Sequence, residues 1–210
     1  MTRLIIIRHA ESTHNLENRI QGHHDSPLTS KGLRQARQLA KRLKDVKIDK
    51  IYSSDLGRAF STTREILRYK KVAVVRDTQL REIQLGAWEG MTAGEVDRLY
   101  DNGYQKWLKK PSACHIPGCE KVGPFRRRIT ERVRKIARAN RGKTVAIVTH
   151  GGAITALLSG WLKSDFDHLL LNFRIDNTSI TMADETDKQT YLKTINDTSH
   201  LSLREKTYHH

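Results

Sequence analysis

Cysteine is nearly absent: Cys114 and Cys119 are the only two in 210 residues. Two are too few for the disulfide framework of a small secreted domain, so a reducing, cytoplasmic setting is expected. Long apolar runs are missing as well. Leu4 to Ile7 gives only four such residues before Arg8, shorter than a secretory h-region. The most apolar long stretch, Val145 to Leu162, is interrupted by His150-Gly151-Gly152 and reads as strand, turn and helix, so no membrane span is expected. Acids are scarce, with 23 Asp plus Glu against 38 Lys plus Arg and a formal net charge of +15. Such a balance favours anionic partners but names none. No internal repeat and no low-complexity tract occurs.

What is present suits one domain spanning 1–210, with 37% apolar residues to build a core. Leu4 to Ile7 is apolar throughout, as in a buried parallel strand. The segment from Ser30 carries Ala36, Leu39, Ala40 and Leu43 on one helical face, and Ile48 to Tyr52 is strand-like. A helix from about Leu56 to Tyr69 brings Arg58 into its first turn. Val72 to Val75 follows as a strand, Thr92 to Tyr100 as a helix, Lys121 to Asn140 as a strongly basic helix and Thr144 to Val148 as a strand. Gly151-Gly152 opens a helix reaching about Leu162, and the tail from Thr178 to Ile195 has β-rich patches. This alternation predicts an α/β fold, a mainly parallel central sheet with helices on both faces. Lys109 to Val122, with Pro111, Pro117 and Gly118, reads as an exposed loop that shapes a specificity pocket. Tyr208-His209-His210 fits a native terminus or the remnant of a tag.

Two local patterns carry no chemistry. Gly142-Lys143-Thr144 looks like the end of a nucleotide-phosphate loop, but Ala137 stands where that loop needs glycine, and the tripeptide follows a helix instead of preceding one. Cys114, His115 and Cys119 lack a second matching pair of ligands, so no metal site is expected.

The informative stretch is Leu4-Ile5-Ile6-Ile7-Arg8-His9-Ala10-Glu11-Ser12-Thr13-His14-Asn15, followed by Asn18-Arg19-Ile20-Gln21-Gly22 and Asp25-Ser26-Pro27-Leu28-Thr29. Further on come Gly32 with Gln35-Ala36, Tyr52-Ser53-Ser54-Asp55-Leu56-Gly57-Arg58-Ala59, Leu80-Arg81-Glu82-Ile83, Gly86 with Trp88-Glu89-Gly90, and Val148-Thr149-His150-Gly151-Gly152. In this order the motifs, spanning residues 4 to 152, closely resemble those of the histidine phosphatase superfamily, also called phosphoglycerate mutase-like.

The residue types suit phosphoryl transfer on their own terms. A histidine at the end of a buried strand is a nucleophile when its ring is neutral and its other nitrogen is held by a hydrogen bond, and His9 fits that position. Arg8 and Arg58 supply guanidinium forks for the equatorial phosphoryl oxygens. His150 adds a cationic donor, and the backbone N–H of Gly151 at a helix start favours an anion. Glu82 protonates the leaving alkoxide and then takes a proton from water. The resemblance adds Asn15, Gln21 and Gly22 as residues lining the phosphate pocket.

Departures from the family pattern are informative. Ala10 replaces a usual glycine, a change that is costly only at positive φ. His14 stands where Trp is frequent, and with His23 and His24 it reads as a solvated loop residue at the entrance before a substrate ligand. Gly118-Cys119-Glu120 replaces Gly-Gly-Glu, which puts substrate contacts from that loop in question. Leu80 to Gly90 resembles the phosphatase branch, and the long insertion of the mutases is missing. The expectation is a metal-independent phosphomonoester hydrolase, without a cofactor, acting through phosphohistidine on a small phosphorylated metabolite.

A cofactor-dependent phosphoglycerate mutase is the alternative within the family. A nucleic-acid or polyanion-binding protein is the alternative outside it, resting on the ten basic residues and one acid between Lys121 and Lys143. Phe125 is the only aromatic residue there and belongs to the apolar stripe, so nucleic acid is not expected and steering of anionic substrates or solubility is. The sequence leaves self-association open, and it does not distinguish phosphoserine, α-ribazole phosphate or phosphoglycerate as substrate.

Overall fold

A computed structural model describes residues 1–206, so Tyr208-His209-His210 lies outside the described residues. Its centre is a six-stranded sheet in which β1 (Thr2–Arg8), β2 (Lys50–Ser53), β3 (Val74–Arg76) and β4 (Thr144–Thr149) run parallel in the order β3-β2-β4-β1. The β-rich tail becomes β5 (Ile180–Glu185) and β6 (Thr190–Asp197). These extend the β1 edge as an antiparallel pair.

Helices cover both faces, as the strand–helix alternation predicts. Along β1 the side chains alternate between two cores, which is why its whole run is apolar. Leu4 and Ile6 pack with Tyr52, Val145 and Ile147 against α6 (Val122–Ala139), α7 (Gly151–Trp161) and α8 (Phe166–Asn172). Ile5 and Ile7 pack with Ile51, Ala146 and Val148 against α2 (Ser30–Leu43) and α3 (Gly57–Leu67). In α2 the buried Ala36, Leu39, Ala40 and Leu43 form the expected stripe, and Thr29 caps its start by accepting from the Gly32 N–H at 2.9 Å.

The third strand is displaced from its expected place: pairing begins at Val74 and includes Arg76, because Ile51, Tyr52 and Ser53 take Val74, Val75 and Arg76 as partners. Three helices have no counterpart in the sequence reading: α1 (Thr13–Leu16), α5 (Gly103–Lys109) and α8. The segment 109–122 is the largely exposed loop expected, tied down at a few points. Pro111 and Ile116 are buried, the latter packed with Trp88 and Val96 of α4 (Ala93–Leu99), and the Ala87 N–H donates to Pro117 O at 2.9 Å.

The basic helix α6 divides its charge. Phe125, Ile129, Val133, Ile136 and Ala137 face the core as its spacing predicts. Arg128 and Arg132 pair with Glu120 and Asp77, and Arg126 Nε donates to Ser159 Oγ at 3.1 Å. Arg127, Arg134, Lys135 and Arg138 face solvent. Among the described residues no helix is long and apolar enough to cross a membrane.

Candidate active site

β1 and β4 are adjacent and in register, with Arg8 opposite Thr149, so His9 and His150 leave the sheet side by side. Their ring centroids lie 5.2 Å apart. His9 Nδ1 contacts its neighbour's carbonyl, Ala10 O, at 2.7 Å. A carbonyl only accepts, so Nδ1 carries the proton and Nε2 keeps its lone pair. Burial first, then the charges of Arg58 and Arg8, holds this imidazole well below its ordinary pKa. Asn177 Nδ2 donates to His9 O at 3.0 Å and fixes the backbone from behind.

His150 is fully buried and hydrogen-bonded through Nε2 to Ser54 Oγ at 2.8 Å. Burial, Arg58, His9 and Arg8 lower its pKa well below the usual value, so in the free site it is neutral, not the cationic donor expected from sequence. A phosphoryl dianion held beside it reverses the electrostatic part of that shift.

Arg58 opens α3 and is 1% exposed. Its Nη1 donates to His24 O and Asp25 Oδ1, both at 3.1 Å, and its Nη2 to Gly22 O at 2.8 Å. Asp25 also accepts the N–H groups of Gly57 and Arg58, capping a helix whose own N-cap residue is Leu56. Gly22 has φ +51°, and a Cβ there would lie 2.1 Å from Glu89 Oε1, so glycine is required for this carbonyl to reach Arg58. Arg8 Nη1 donates to Ile175 O. The Nε atoms of Arg8 and Arg58 and the Nδ1 of His150 are buried without a partner among the described residues. Arg8 and Arg58 line one cavity, where unpaired guanidinium nitrogens suit an anion.

Glu82 reaches the site from the loop after β3. Its Oε1 accepts from Ile83 N–H and its Oε2 from Gly152 N–H, each at 2.9 Å. The loop is pegged from outside by Arg128, whose guanidinium donates to the carbonyls of Gln79, Arg81 and Glu82 while pairing with Glu120. Glu120 is thereby committed to Arg128, and the Gly118-Cys119-Glu120 segment packs on the 84–88 turn through Glu120 N–H to Gln84 O at 2.9 Å.

Arg8, His9, Gln21, Arg58, Glu82 and Gly151 all line one cavity of about 410 Å³. Asn15 is not on its wall: its Oδ1 is taken by Ser12 and Asn177, bracing the loop behind His9. Gly22 lines an adjoining hollow instead. Ala10 keeps a negative φ, and its N–H donates to Thr62 Oγ1 at 3.0 Å, so the Cβ there is unstrained. His23 departs from the solvated reading, since its Nε2 is hydrogen-bonded to Glu82 O at 2.9 Å, while His14 and His24 meet edge to face. Among the described residues no cluster of three or more His, Cys, Asp or Glu is arranged for a metal, and the thiols of Cys114 and Cys119 are free.

Sequence reasoning missed Ser54, Asp25, Arg128 and Asn177, which orient the reactive groups without lining the cavity. Ser54 and Asp25 lie inside the quoted motifs, but nothing in the spacing names their partners.

A cluster of two arginines and two histidines around adjacent strand ends defines a phosphoryl-transfer enzyme built on a mainly parallel sheet. The chain belongs to the histidine phosphatase superfamily (branch 1), whose family model matches residues 4–198, and it is a phosphatase of that superfamily. Among curated relatives it is similar to phosphoserine phosphatase 1 of Hydrogenobacter thermophilus, 30% identical over 201 residues covering 96% of this chain and 95% of that one. It is likewise similar to a probable phosphoglycerate mutase, GpmB, of Escherichia fergusonii, 30% identical over 212 residues covering 96% and 95%. Among solved structures, YhfR of Bacillus stearothermophilus superposes with a TM-score of 0.91 at 33% identity, covering 95% of this chain and 99% of that one.

Proposed function

We propose that the enzyme hydrolyses small phosphomonoesters through a phosphohistidine on His9, without a metal ion. The observation that carries this reading is the His9 Nδ1–H bond to Ala10 O, which aims an unprotonated Nε2 into the cavity that Arg8, Arg58 and Glu82 also line.

In the first step the Nε2 lone pair forms a bond to phosphorus as the P–O ester bond breaks, and the leaving oxygen takes a proton from the Glu82 carboxyl. Arg8, Arg58, the Gly151 N–H and His150 hold the equatorial oxygens, where charge is spread in the transition state. In the second step water gives a proton to the Glu82 carboxylate and attacks phosphorus. The P–N bond breaks, its electron pair returns to Nε2, and phosphate leaves. Gln21 stands on the same wall as a neutral donor to the phosphoryl group. Asn15 acts indirectly, through the loop it braces, and Gly22 through the Arg58 guanidinium it positions.

The test is phosphate release in excess chelator from p-nitrophenyl phosphate, phosphoserine, 3-phosphoglycerate and α-ribazole phosphate, with His9→Ala as control. Turnover that survives chelation and vanishes in the variant supports the reading. Loss of activity on chelation overturns the metal-free mechanism. Conversion of 3-phosphoglycerate to its 2-isomer without phosphate release assigns the chain to mutase chemistry instead.

A further inference from the structure

The phosphate cavity does not end at Glu82. A second hollow of about 240 Å³ opens beside it, and the two share Gln21, Glu82, Tyr104, Trp107, Gly152 and Leu170. Beyond the shared residues its wall is apolar, formed chiefly by Ile83, Leu85, Trp88 and Phe166. Tyr104 and Trp107, one helical turn apart on α5, hold their rings 5.5 Å apart and nearly parallel at 19°. Among the described residues Glu82 is the only charged side chain lining this hollow.

We propose that this hollow receives the leaving group of the substrate, and that the preferred leaving group is an uncharged aromatic or arylalkyl alcohol. The inference rests on the hydrolysis reading above and adds the substrate class. Glu82 stands at the junction of the two spaces, so the oxygen it protonates lies there too. Whatever that oxygen carries must then extend away from the phosphoryl group, into the hollow. A ring entering it trades water for contact with Tyr104, Trp107 and the apolar wall beyond them. The serine or glycerate moiety of phosphoserine or phosphoglycerate places a carboxylate on the same wall as Glu82, where the described residues offer no cationic side chain to pair it. Arg174 is exposed and lines the phosphate cavity, not this hollow.

The comparison must hold leaving-group chemistry constant, so the probes are two alkyl phosphates of similar alcohol acidity, 2-phenylethyl phosphate and ethyl phosphate, with phosphoserine beside them as the charged ester whose more acidic alcohol favours it chemically. The expected result for the wild-type enzyme is a kcat/KM for 2-phenylethyl phosphate at least about tenfold above that for ethyl phosphate, the discrimination a hydrophobic pocket gives for added apolar bulk. Phosphoserine is expected at or below the ethyl ester. Trp107→Ala is expected to collapse the phenylethyl-to-ethyl ratio to below about threefold through KM, and Trp107→Phe to restore most of it. Equal use of the two alkyl esters, a preference for phosphoserine, or a ratio unmoved by Trp107→Ala overturns the subsite while leaving hydrolysis intact. Absence of phosphate release from all three overturns both.

Discussion

Arg128→Ala separates the work of a surface-looking arginine from ordinary helix charge. The wild-type guanidinium makes a bidentate pair with Glu120, at 2.9 and 2.7 Å, and three further bonds to the carbonyls of Gln79, Arg81 and Glu82 at 2.9, 3.1 and 3.3 Å. Both side chains are mostly shielded, with Arg128 at 16% and Glu120 at 20% exposure. Removing one partner of a fully buried pair costs about 3–5 kcal/mol, and an exposed pair is worth about 1 or less, so about 2–3 kcal/mol is expected here. At roughly 2–4 °C per kcal/mol for a chain this size, the melting temperature falls by about 4–12 °C. The same substitution unpegs the loop that carries Glu82. Measured well below the melting transition, kcat falls by about 10- to 100-fold, the scale of misplacing a catalytic group by an ångström. Inhibition by orthovanadate changes little, because Arg8 and Arg58 hold the anion without help from Arg128. Arg128→Lys recovers only part of both losses, since a point charge cannot span four acceptors. A shift in melting temperature below 2 °C, or full kcat in the alanine variant, refutes the reasoning.

A Cβ at position 152 would lie 2.5 Å from Glu82 Oε1, so Gly152→Ala displaces the carboxyl from its amide partner. Alanine in the first turn of α7 leaves stability equal or slightly raised, while kcat falls by about 100-fold, the contribution of a positioned acid or base; thermal scans beside steady-state kinetics check the opposition, and unchanged turnover refutes it. Burial holds His9 and His150 well below their ordinary pKa and pushes His200 down to about 4. Below about pH 6.5 the unfolded chain therefore binds protons at these positions that the folded chain refuses, so stability is lost as pH falls from about 6.5 towards 4 and the histidine contribution is level above. Urea midpoints at pH 5 and pH 7.5 test the sign, and an equal or higher midpoint at pH 5 contradicts it.

The two-faced sheet was legible because Leu4 to Ile7 and Val145 to Val148 are apolar without alternation, a pattern that strands buried on both sides demand. Arg8, His9, Arg58 and His150 were legible because each sits at the end of a strand or the start of a helix within a quoted motif, and Glu82, on a loop, was legible through its motif alone. Seven-residue helices such as α5 and α8 were not, since two turns show no periodicity against the surrounding polar sequence. That omission hid Tyr104 and Trp107, and with them the wall of the second hollow. Arg128 was missed for a different reason: a charged position on an amphipathic helix looks solvated until the loop packed above it is known.

The adjacency of β1 and β4 ties chemistry to the folding reaction itself. His9 and His150 come from distant parts of the chain, and they meet only when the central strand pair has closed across everything between them. No fragment ending before β4 contains a reaction centre, whatever else of the sheet it has formed. Regain of turnover after dilution from denaturant is therefore a clock for closure of the β1–β4 pair.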